Sequence, residues 1–198
     1  GLGDRWTYSF GLFGLFILGI VFFGCLQIQM PEPAGSQVQT QATLESQENA
    51  VQLVGGEADI TMILDRSGSM SSIEGQVVKS FNDFVQGQQV IEGEATISLV
   101  QFNNEYTPTY SGIDIQSAGL LDETSYVPGG STGLFDAIGK AIVDTQSRLG
   151  SNLENSNVVF VITTDGMENA SRKYTSADIK SMISHCADDL GWQFLYLA

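Results

Sequence analysis

The sequence predicts an α/β fold: a doubly wound, mostly parallel sheet with helices on both faces. Three observations carry that expectation. Short, β-branched apolar runs at residues 58–64, 94–102, 158–163 and 192–197 have the length and composition of buried strands. Between them lie segments whose apolar residues recur at helical spacing. Strand and helix then alternate along the chain, the order a parallel sheet covered on both faces requires.

In chain order, the run at 58–64 forms the first strand and ends at Asp65. Residues 72–89 place Ile73, Val77, Phe81, Phe84 and Val85 on one side of a helix. The strand at 94–102 is followed by a hairpin partner at 105–111, which Pro108 confines to the sheet edge. Residues 113–128 read as irregular. A second amphipathic helix covers 132–149, with Leu134, Ile138, Ala141, Ile142, Thr145 and Leu149 on one side. The run at 158–163 is a fully apolar strand. Thr175 and Asp178 make a capping box that opens a third helix at 175–188, and 192–197 closes the domain as a strand. No internal repeat is visible.

Two segments precede this domain, giving a division into 1–30, 31–56 and 57–198. No charged residue occurs between Arg5 and Glu32, and the apolar stretch 10–28 would span roughly 28 Å as a helix, about one hydrocarbon core. Trp6 and Tyr8 stand where an aromatic belt belongs. A single transmembrane anchor is therefore expected. Arg5 lies on its short side and no Lys or Arg follows between 26 and 65, which places the domain on the periplasmic or extracellular side. Residues 31–56 are rich in Gln, Ser, Thr and Glu without an aromatic residue, and read as a linker that cannot build its own core.

Charge narrows the partners. The formal net charge of −15 disfavours nucleic acid, whose phosphates need Lys and Arg, and anionic lipid surfaces. Cys25 and Cys186 sit in unlike surroundings, so no disulfide framework is expected; Cys186 falls on the apolar stripe of the third helix. His185 reads as a surface or packing residue and Trp192 as packing; Glu168, which follows the Asp165 turn, reads as a solvated loop acid, with a place on the rim of the site as the alternative.

The chemistry gathers at strand ends. Asp65-Arg66-Ser67-Gly68-Ser69-Met70 leaves one carboxylate and two hydroxyls on a tight loop, all hard oxygen donors suited to Mg²⁺, Mn²⁺ or Ca²⁺. The strand at 158–163 delivers Asp165 at the same edge if it lies beside the first, since ligands of open α/β sheets collect at carboxyl ends where the winding reverses. The loop Gly129-Gly130-Ser131-Thr132-Gly133 can bring the Thr132 hydroxyl to the same point. No P-loop, GxSxG or Ser-His-Asp order is present. A phosphotransferase of the haloacid dehalogenase type would need an Asp where Ser67 stands, so no enzyme is expected.

Asp65-x-Ser67-x-Ser69, Thr132 and Asp165 together resemble the metal-ion-dependent adhesion site of von Willebrand factor type A domains, over about residues 57–198. The stretches from Thr132 to Ile138 and from Thr164 to Asn169 are similar to the family's as well. The resemblance implies a metal site in which Ser67, Ser69 and Thr132 bind Mg²⁺ (or Ca²⁺ or Mn²⁺) directly. Asp65 and Asp165 would hold the shell and its waters, and a partner's Asp or Glu would take the last position. The family's last helix, after the final strand, has no counterpart up to Ala198. The implied function is a membrane-anchored, divalent-metal-dependent protein-binding module for adhesion or assembly. The alternative is a structural accessory subunit of a larger membrane complex, with the site merely stabilising or empty.

Overall fold

A computed structural model describes residues 58–165 and 167–197. The apolar stretch 10–28 and the linker 31–56 lie outside them, and among the described residues no helix is long and apolar enough to cross a membrane.

Five strands form one sheet in the order β3-β2-β1-β4-β5. The central strand β1 (Ala58–Asp65) pairs in parallel with β2 (Ala95–Phe102) on one side and with β4 (Asn157–Thr163) on the other. Strand β5 (Gln193–Leu197) continues in parallel beyond β4, and β3 (Tyr106–Asp114) is the antiparallel edge beside β2. Pro108 thus sits on an edge strand, as its missing N–H demands.

Alternation along β1 separates two cores. Ile60, Met62 and Leu64 pack with Val77, Phe81 and Val85 of helix α1 (Glu74–Gln89). Ile63 belongs to the other face, with Phe160 and Ile162 of β4. That face is covered by α2 (Leu134–Leu149), through Ala137, Ile138 and Ala141, and by α3 (Ser176–Leu190), through Ile179 and Cys186. Each Val, Leu, Ile, Phe or Met side chain so removed from water contributes about 1.5–3 kcal/mol before conformational entropy is counted. Trp192 is buried and stacks on Phe160 at 5.6 Å, Cys186 is core, and His185 is exposed on α3, hydrogen-bonded to Asp189 at 2.5 Å.

Three boundaries differ from expectation. β3 runs on to Asp114 because Gly112 donates to the Ser98 hydroxyl at 2.8 Å, bridging a register shift opposite β2. The expected first helix opens as a separate 3-10 turn, Gly68–Ser72, and α2 starts only at Leu134. Both shifts leave hydroxyl-bearing residues outside α-helix, at the carboxyl edge of the sheet. The capping box that opens α3 is formed as expected: Asp178 N donates to the Thr175 hydroxyl, and Thr175 N to the Asp178 carboxylate.

Candidate metal centre

The winding of the sheet reverses at β1. From β1 the chain moves through α1 to β2 and β3; it then crosses back through α2 to β4 on the other flank of β1. The carboxyl ends of β1 and β4 flank that reversal, where a crevice forms. In the β1–β4 register Leu64 faces Thr163, so Asp65 meets Thr164 and not Asp165.

Asp65 has no exposed surface. One carboxylate oxygen accepts the Ser67 N–H at 2.6 Å and the other the Thr164 hydroxyl at 2.5 Å. Its backbone carbonyl accepts the Tyr126 hydroxyl, also at 2.5 Å. Tyr126 is itself fully buried; burial, followed by the charges of Asp65, Asp165 and Glu74, pushes its hydroxyl well above its ordinary value and keeps it protonated as a donor. Among the described residues no salt bridge reaches Asp65. A fully desolvated carboxylate without a cationic partner is costly unless something else compensates it.

From Asp65 a short chain of contacts runs outward. The Ser67 and Ser69 hydroxyl oxygens lie 3.2 Å apart, and Ser69 donates to the Asp165 carboxylate at 2.8 Å. Ser67 is buried, whereas Ser69 and Asp165 are exposed, so the group is open on one side. Thr132 follows on a loop that is tied to the serine motif. Gly68 N donates to Gly130 O at 3.0 Å and Gly129 N to Arg66 O at 2.7 Å, strapping the serine loop to the threonine loop. Gly130 holds a φ of +82°, and a Cβ there would collide with the Asn104 side chain, so glycine is required for the close approach. Thr132 is buried; its N–H donates to Asn169 Oδ1 at 2.9 Å.

Four of the five residues expected from the sequence therefore form a hydrogen-bonded chain at one edge, and Thr132 lies two residues beyond Gly130 on the loop bonded to Gly68. Among the described residues no three His, Cys, Asp or Glu side chains gather into a ligand set. The donors are mainly hydroxyls with two carboxylates, a hard-oxygen set that fits Mg²⁺, Ca²⁺ or Mn²⁺ and not zinc.

The family can now be tested directly. The von Willebrand factor type A domain matches residues 59–192, well over half of the chain. The chain belongs to this family. Among solved structures it is similar to the ArnB paralog VWA2 from Sulfolobus acidocaldarius (19% identity, TM-score 0.45, covering 73% of this chain and 42% of that one). It is also similar to a von Willebrand factor type A protein from Catenulispora acidiphila (19% identity, TM-score 0.44, 71% and 32%). The chain spans less than half the length of either. No curated protein matches it.

One expectation about this von Willebrand factor type A domain is corrected. Glu168 is not a solvated loop acid. Its carboxylate accepts from Phe135 N at 3.0 Å, Ala170 N at 2.8 Å, Ser171 N at 2.7 Å and the Ser171 hydroxyl at 2.7 Å. Burial opposes its ionisation, yet those bonds outweigh it and hold the carboxyl below its ordinary value. Asn103 was not singled out either. Its side chain donates to Gly129 O at 2.8 Å and its carbonyl accepts Gly133 N at 2.8 Å, which steadies the threonine loop from the β2–β3 side.

Proposed function

We propose that this domain is a non-enzymatic, divalent-cation-dependent protein-binding module. In this reading Ser67, Ser69 and Thr132 hold Mg²⁺, or Ca²⁺ or Mn²⁺ in its place, and Asp65 and Asp165 orient them and the ion's waters. The stretch 10–28 anchors the module as a single membrane span, with the domain on the periplasmic or extracellular side.

The observation that carries the reading is Asp65: wholly buried, charged by type, and supplied with a backbone N–H and a hydroxyl but, among the described residues, no ion-pair partner. A carboxylate offers about four acceptor positions, so two remain for water or an ion's hydration shell. A bound divalent ion would supply positive charge at a place where the described residues form no ion pair. With hydroxyls as the direct donors, the ion keeps its affinity for an incoming carboxylate, so a partner presenting Asp or Glu is the expected ligand. Von Willebrand factor type A domains commonly mediate protein–protein interaction, which agrees with this reading.

The test is calorimetric titration of the full chain, in detergent, with Mg²⁺ and with Mn²⁺. Saturable binding is expected, and it should be lost in Asp165→Ala. No binding of either ion by the unaltered chain would sink the proposal.

A further inference from the structure

The Thr132 loop belongs to no strand, and its placement depends on what grips it from the side. The grip is centred on one carboxylate. Glu168 Oε2 accepts from Phe135 N, in the first turn of α2, and from the Ser171 hydroxyl; Oε1 accepts from Ala170 N and Ser171 N. Ser171 in turn accepts from Asp136 N at 3.0 Å, so the open N-terminus of α2 is capped by this distant loop and not by Gly133. The segment so ordered, Asn169 and Ala170, donates two N–H groups to the Thr132 carbonyl at 3.0 Å each, and Asn169 Oδ1 takes the Thr132 N–H. Asp136 returns the grip: its carboxylate accepts N–H groups from Arg172, Lys173 and Tyr174 at 2.8–2.9 Å.

We propose that Glu168 is a positioning residue for the divalent cation, fixing the backbone that presents Thr132 without touching the ion. This rests on the metal-centre reading above. Four donors converge on this carboxylate, one of them the Ala170 N–H of the pair that grips Thr132 and two more from the adjoining Ser171. Glu168 also follows Asp165 closely on the same loop. One side chain therefore sets the threonine arm of the site relative to the aspartate arm. Supporting groups of this kind change metal affinity without being ligands.

The test uses Mn²⁺ as the probe, with binding followed by electron paramagnetic resonance on the full chain, and amide hydrogen exchange read at Thr132. Glu168→Ala should weaken Mn²⁺ binding about 10- to 100-fold and speed exchange at Thr132. Glu168→Gln, which keeps one carbonyl acceptor, should restore part of both. Asp59→Asn, which disrupts a contact to α2 away from the site, should lower the melting temperature and leave Mn²⁺ affinity unchanged, separating positioning from general loss of stability. Mn²⁺ bound by Glu168→Ala as tightly as by the unaltered chain overturns the proposal. So does weakened binding with no change in exchange at Thr132. Failure of the unaltered chain to bind Mn²⁺ overturns the metal reading itself.

Discussion

Asp59 and Asp65 stand near opposite ends of β1, on the same face of the strand, and both are buried. Their surroundings differ in kind. Asp59 is closed by a bidentate pair with Arg148 of α2, at 2.6 and 2.8 Å, and by the Thr96 hydroxyl at 2.9 Å. Asp65 has, among the described residues, hydrogen-bond donors and no ion-pair partner. The first carboxylate is neutralised within the protein and has a structural task. The second is oriented by donors and meets no ion-pair partner among the described residues, the feature on which the proposed cation site rests. The difference lies in what faces each acid, not in burial, since Asp65 is the more deeply buried.

The largest expected effect lies at the closed end. Asp59→Ala leaves the Arg148 guanidinium, whose side chain is only 25% exposed, without its partner; the loss of stability should be about 3 kcal/mol, read by chemical denaturation. Divalent-ion affinity of the folded protein should not change. Asp65→Asn should do the opposite. Removing an uncompensated buried charge should hold or raise the melting temperature without metal, while Mg²⁺ affinity falls by about 100-fold or more by calorimetry. A clear loss of stability in Asp65→Asn without metal would break the contrast.

A third carboxylate sharpens it. Asp136 is neither ion-paired nor deeply buried, and its partial burial raises its pKa. The backbone N–H groups of Arg172, Tyr174 and Lys173 outweigh that and hold it below its ordinary value of 3.8. A depressed folded value means that the stabilisation is complete above the unfolded pKa and is lost as pH falls through the folded one. The melting temperature should therefore drop on acidification below about pH 4, and Asp136→Asn should flatten that part of the curve. This is the smallest of the three effects.

The strands and helices were legible because their signals are local. Residues 158–163 are apolar throughout, the stripe from Leu134 to Leu149 repeats at helical spacing, and the Thr175 box closes within one turn. The five candidate residues could be named from the sequence because three lie within one short motif, Asp165 follows the apolar run at 158–163, and Thr132 lies in a glycine loop ahead of the second amphipathic stretch. What escaped was long-range and made through backbone. Glu168 caps a helix more than thirty residues earlier in the chain, through N–H groups that every residue type shares. Tyr126 lies in a stretch that read as irregular, and only the folded chain brings its hydroxyl to the Asp65 carbonyl. No periodicity or composition marks such contacts.

The direction of β1 has a practical consequence. The strand starts at Ala58 and delivers Asp65 seven residues later, a run of about 23 Å from end to end. A biotin or surface tether placed just ahead of Ala58 would attach the domain by its far pole, leaving the Ser69 and Asp165 rim turned outward to meet a soluble protein. A tether in the loop between β4 and α3 would press that rim against the support.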